Sequence, residues 1–143
     1  MHLFHFLAVL ATILFTGAAI YINVAEHPAR MECGTVLAVS VFGPSYRRAA
    51  VMQVILALIA MVSAISAWLL GGGVSWLVGG LLIFAVVPFT LIVIMPTNRK
   101  LLDPALDRTS NVAHDLLRRW GRLHAVRSIL GLASSILLLG SLV

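Results

Sequence analysis

Four stretches of this sequence are too apolar and too long to sit comfortably in water: Leu3–Ala25, Ala49–Leu70, Val74–Met95 and Ala125–Val143. Arg127 is the single charged side chain inside any of them. At a rise of about 1.5 Å per residue, each reaches across a hydrocarbon layer about 30 Å thick as a helix. Within lipid a helix satisfies its own backbone hydrogen bonds. The expectation is an all-α, integral membrane four-helix up-down bundle. It forms one domain over residues 1–143, with spans near 3–25, 49–70, 74–95 and 120–143. Only 10% of the residues are charged and 61% are hydrophobic, against about 25% charged in soluble domains, so no room is left for a separate soluble module.

The first span lacks a basic leader, and its apolar run exceeds the roughly 7–15 residues of a signal-peptide core, so it reads as a retained helix. All ten Lys and Arg residues fall after span one (Arg30, Arg47, Arg48) or around the connection from span three to span four (Arg99, Lys100, Arg108, Arg118, Arg119, Arg122, Arg127). The positive-inside rule then puts both basic connections in the cytoplasm and both termini outside; in a prokaryote the membrane would be the inner one. Topology accounts for the net charge of +5, and no nucleic-acid partner is expected. Cys33, the sole cysteine, excludes an internal disulfide and a Cys-x-x-Cys relay.

Polar residues recur on one side of each span. In the first, Thr12, Thr16, Asn23 and His27 fall within about 60° on a helical wheel, and such a stripe should face other helices. Pro28 is expected to end or kink this helix, freeing carbonyls near His27. His2 and His5, at the other end, read as interfacial residues. Cys33–Phe42 is apolar but too short to span, which suggests a re-entrant or interfacial segment turned by Gly43-Pro44-Ser45 into the next helix. On that helix Ala49, Gln53, Ala57, Ala60, Ala64 and Ala67 lie within about 80°, a small-residue face suited to close packing. Gly71-Gly72-Gly73 makes a tight turn, and Pro88 a kink in the third helix. Its exit, Met95-Pro96-Thr97-Asn98-Arg99, echoes His27-Pro28-Ala29-Arg30. The fourth helix should start near Asn111, capped by Ser110. It separates an inward set (Leu117, Trp120, His124, Arg127, Gly131, Ser134) from an outward one (Asp115, Arg118, Arg119, Arg122), with Asp115 and Arg119 spaced to pair.

In an up-down bundle Asn23, Glu26, His27, Gln53, Asn98, Trp120, His124 and Arg127 should converge at one depth. Ionisable groups within a bilayer cost about 2.5–3.5 kcal/mol each on insertion scales, so a cluster implies pairing or use. In the bland reading Glu26 pairs with Arg30 or Arg127 and both histidines snorkel. In the catalytic reading His27 or His124 is a general base. Arg127, Asn98 and Gln53 stabilise an oxyanion or enolate, while Asn23, Glu26 and Trp120 complete the pocket. Its substrate would be a lipophilic small molecule arriving through the membrane lipid. In a metal reading Glu26, His27 and His124 are two imidazoles and a carboxylate, a set suited to non-haem iron; the two histidines also suit axial haem ligation. No dense metal motif supports either, so no cofactor is assigned. A non-enzymatic protein that binds haem, metal or quinone, or an accessory subunit, is the other class. Lipid faces rich in Ala, Gly and Leu permit a homo-oligomer.

The pattern Gly17-x-x-x-Tyr21, Glu26-His27-Pro28-Ala29-Arg30, Pro96-Thr97-Asn98 and Trp120-x-x-x-His124-x-x-Arg127 resembles the small four-span membrane family that includes the fungal anthrone oxygenases. The resemblance covers nearly the whole chain. It implies oxygenation of an activated aromatic methylene to a quinone-type product, with O₂ as co-substrate and without a flavin or nicotinamide domain. On that view His27 or His124 is the base, and Arg127 with Asn98 is the anion clamp.

Overall fold

A computed structural model describes residues 2–143, and among them it contains helices and no strands. Four helices are each long and apolar enough to cross a membrane: α1 (His2–Glu32), α2 (Thr35–Leu69), α3 (Val74–Leu101) and α4 (Asn111–Gly140). Each packs on the next, and α4 closes back on α1. Both chain ends therefore lie beside the glycine turn, where Ala8, Ala64, Ala67, Trp76 and Leu138 pack together. At the other, basic end Ala38, Phe42, Ile94, Leu101, Leu117 and Trp120 form a second layer. Between them lies a layer around Phe15, Ala57, Ala60 and Ile83.

The helices bury the faces that their small and polar residues mark out. Gln53, Ala57, Ala60, Ala64 and Ala67 are all buried on α2, and Leu117, Trp120, His124, Gly131 and Ser134 on α4. Hydroxyls tie the helices where no water competes: Thr16 Oγ1 lies 2.9 Å from Ser135 Oγ, and Ser134 Oγ donates to the Gly79 carbonyl at 2.8 Å. Ser110 caps α4 by accepting from the Ala113 N–H at 3.1 Å. Asp115, Arg118, Arg119 and Arg122 are exposed. Asp115 and Arg119 do not pair, since among the described residues the one ion pair is Arg30–Glu26. In the exposed loop before α4, Asp107 accepts hydrogen bonds from the Thr109 hydroxyl and N–H, which hold its carboxyl below the usual range.

Two local expectations are corrected. Cys33–Phe42 is not re-entrant, and Gly43-Pro44-Ser45 is not a turn. The chain reverses at Cys33-Gly34, where Gly34 takes φ 97°, and α2 then runs unbroken from Thr35 through Pro44. Burial of Ala38, Val39 and Phe42 against Leu117 and Trp120 outweighs the hydrogen bond that the proline removes. Pro28, likewise, does not end α1. A five-residue π turn, Ile22–Glu26, precedes it, closed by His27 N–H onto the Ile22 carbonyl, and α-helix resumes. The same device recurs on α3, where the π turn Thr90–Ile94 precedes Met95-Pro96. A proline deprives the carbonyl four residues back of its donor, and a widened turn absorbs the mismatch. Asn23 lies on the first π turn and Asn98 in the α-helical segment that follows the second.

Candidate active site

Asn23, carried on the first π turn, is the group from which the site is built. Its Nδ2 donates to the Gly121 carbonyl at 3.0 Å. A carbonyl can only accept, so this bond fixes the amide and makes Oδ1 the acceptor facing α4. That oxygen takes the Ser128 hydroxyl at 2.6 Å and lies 2.8 Å from His124 Nδ1. The His124 proton is therefore on Nδ1. Nε2 has no hydrogen-bond partner among the described residues, and in the neutral ring it holds the lone pair.

His124 lines a small cavity of about 30 Å³, partly open to the surface, between α1, α2, α4 and the end of α3. Asn98, Trp120, Gln53 and Arg127 share this wall. The Arg127 guanidinium donates to Gln53 Oε1 and lies 5.6 Å from the centre of the Phe15 ring. Among the described residues it has no carboxylate partner. Gln53 Nε2 and Asn98 Oδ1 are buried with nothing to bond. Such groups cost about 1–3 kcal/mol each when left empty. A donor amide, an acceptor amide, an unneutralised guanidinium and an imidazole lone pair thus border one space. That set can take a proton from a carbon acid and hold the resulting oxyanion. A second cavity, between α2 and α3, also touches Gln53 and Arg127.

The remaining sequence candidates lie elsewhere. His27 is buried but does not line the cavity. Its ring packs on Trp120, with centroids 5.2 Å apart, while His124 packs on the same indole at 4.8 Å. It also rests on Gly121, where an added Cβ would come within 2.8 Å of its ring. Glu26 pairs with Arg30 and accepts from Ser45 Oγ at 3.3 Å, as the bland reading held for that residue. The metal set Glu26, His27 and His124 is not assembled. Among the described residues no three His, Cys, Asp or Glu side chains form such a group; Trp120 packs against both rings, and the carboxylate is tied to Arg30.

Residues 1–137 match the family model described as anthrone oxygenase. The chain belongs to the anthrone oxygenase family. Two named relatives are similar to it in part. The anthrone oxygenase tpcL of Aspergillus fumigatus is 38% identical over 71 residues, covering 47% of this chain and 44% of that protein. An anthrone oxygenase of Claviceps purpurea is 34% identical over 73 residues, covering 46% of this chain and 42% of its own length. The matched stretches thus span less than half of either relative. No solved structure matches the chain.

In this anthrone oxygenase family member several site residues escape a reading of the sequence. Arg30, Phe42, Ser45 and Tyr46 line the polar cavity; the sequence marks Arg30 for topology or pairing with Glu26, Phe42 as part of a surface segment and Ser45 as part of a turn, and does not single out Tyr46. Ser128 was legible in principle, since it follows His124 by one helical turn and shares its acceptor.

Proposed function

We propose that this family member is an oxygenase of lipophilic aromatic carbon acids of the anthrone kind. His124 Nε2 takes a proton from the methylene that lies between two aryl rings and is conjugated to the ketone. The electron pair moves to the ketone oxygen, giving an enolate held by Arg127 and Gln53 Nε2. The enolate carbon reduces and captures O₂ as a peroxide, which regains the proton from His124. Loss of the second methylene hydrogen with O–O cleavage releases water and leaves the quinone. One anthrone and one O₂ thus give one anthraquinone and one water, and no further reductant enters.

The observation that carries this reading is the His124 ring, fixed by Asn23 through Nδ1, lining the same cavity as Gln53 and Arg127, whose Nε2 and Nε are buried without a partner among the described residues. That both relatives are anthrone oxygenases supports the substrate class. A cavity with both polar and apolar walls favours an enzyme over an accessory subunit, whose core would be filled. General bases contribute about 10²–10⁴-fold, which sets the test. With purified protein in lipid nanodiscs, anthrone should be converted to anthraquinone above the autoxidation rate of empty nanodiscs, with equimolar O₂ uptake. His124→Gln should return the rate to that background without loss of thermal stability. An unchanged rate in His124→Gln would refute the assignment.

A further inference from the structure

The second cavity, about 100 Å³ and partly open to the surface, has walls that include Val54 and Ala57 of α2 with Val86, Val87 and Leu91 of α3. Thr90 is its one hydroxyl from α3, and that group is turned back onto the Val86 carbonyl at 2.7 Å. Polar side chains otherwise occur only at its inner end, where Tyr46, Gln53 and Arg127 belong to both cavities. Ala50 is the small residue at this junction. On the outer side Val54 is 47% exposed and Leu91 59%, within helices apolar enough to lie in lipid. The π turn Thr90–Ile94 supplies part of the wall, a widening that is often found beside functional sites.

We propose that this apolar chamber is both the port from the bilayer and the subsite for the unreactive rings of an uncharged polycyclic ketone. Ala50 at the neck sets how wide a ring system reaches the polar cavity. The inference rests on the polar cavity being the reaction chamber, and it fixes a route and a specificity residue that the reaction itself does not require. An acyl chain could fill the outer part but would bring nothing to Gln53 and Arg127 at the inner end. A flat ketone brings both apolar rings and an acceptor oxygen.

The test needs no turnover, so it stands apart from the outcome for His124. Benzophenone, an uncharged diaryl ketone, is irradiated with the wild-type protein in liposomes and the crosslinked residues are mapped by mass spectrometry. Crosslinks should concentrate on residues 50–57 and 86–95 and fall about tenfold when anthraquinone competes, the equivalent of about 1.4 kcal/mol. Ala50→Phe should lower the inner crosslinks while leaving those near Val54 and Leu91. Crosslinks spread evenly over the lipid faces would overturn the proposal. So would crosslinks that anthraquinone does not reduce, the result expected if an acyl chain alone fills the space. The wild-type competition decides the matter even if Ala50→Phe fails to fold.

Discussion

Replacing Asn23 by leucine removes the amide that organises the site while keeping a side chain of similar size. Three hydrogen bonds go with it: the donation to Gly121 at 3.0 Å, and the contacts from Ser128 at 2.6 Å and His124 at 2.8 Å. Interhelical bonds in membranes average about 0.6 kcal/mol by double-mutant cycles, and stranding a buried partner costs about 1 kcal/mol or more, so the sum is roughly 2–3 kcal/mol of stability. The catalytic loss is separate. Nothing else holds the proton on His124 Nδ1, so the tautomer with a lone pair on Nε2 is no longer favoured and the ring is free to turn. A fall of about 10²-fold in kcat is expected, within the range for a general base, with KM changed much less. Anthraquinone formation in nanodiscs reads the first quantity and thermal unfolding in the same particles the second. Ser128→Ala is the control: it drops one bond, leaves the tautomer fixed, and should lose about 1 kcal/mol of stability with nearly normal turnover. Wild-type kcat in Asn23→Leu, or an equal loss in Ser128→Ala, would refute the reasoning.

Arg127→Met should leave the protein as stable or more so, because a buried guanidinium without a counter-ion gives way to an apolar chain. Turnover should nevertheless drop about 10²–10³-fold, as when an oxyanion donor is removed; strong destabilisation would mark Arg127 as structural. Gly121→Ala puts a Cβ within 2.8 Å of the His27 ring and should cost about 1–3 kcal/mol. Much of that should be restored in the double variant with His27→Ala, read from thermal unfolding. Cys33, exposed at the basic end, is a built-in probe of sidedness: an impermeant maleimide should label it only after cells are opened, and labelling of intact cells would reverse the proposed orientation.

The membrane-spanning core was legible because hydropathy and the rows of small residues act locally. The alanine face of α2 and the inward face of α4 follow from spacing alone. The extension of α2 back to Thr35 was not, since Gly43-Pro44 carries a turn signal that only packing of Phe42 against Trp120 overrides. A helical wheel likewise brought His27 and His124 to one end of the bundle but could not tell that both would pack on the Trp120 ring. The echo between the exits of the first and third helices was visible as two prolines. Its physical content, a π turn before each, depends on backbone hydrogen bonding that residue types do not spell out. Arg30, counted for topology and as a partner for Glu26, does pair with Glu26, and with Ser45 as a second contact its head is buried at the cavity wall.

The account depends on His124 offering an unprotonated Nε2 to the cavity. Solid-state NMR of protein labelled with nitrogen-15 histidine, in lipid bilayers at neutral pH, observes that atom directly. His124 should show a protonated Nδ1 coupled to the Asn23 amide and an Nε2 in the range of a bare imidazole nitrogen, and Asn23→Leu should abolish this signature. A proton on Nε2 in the wild-type protein would contradict the account.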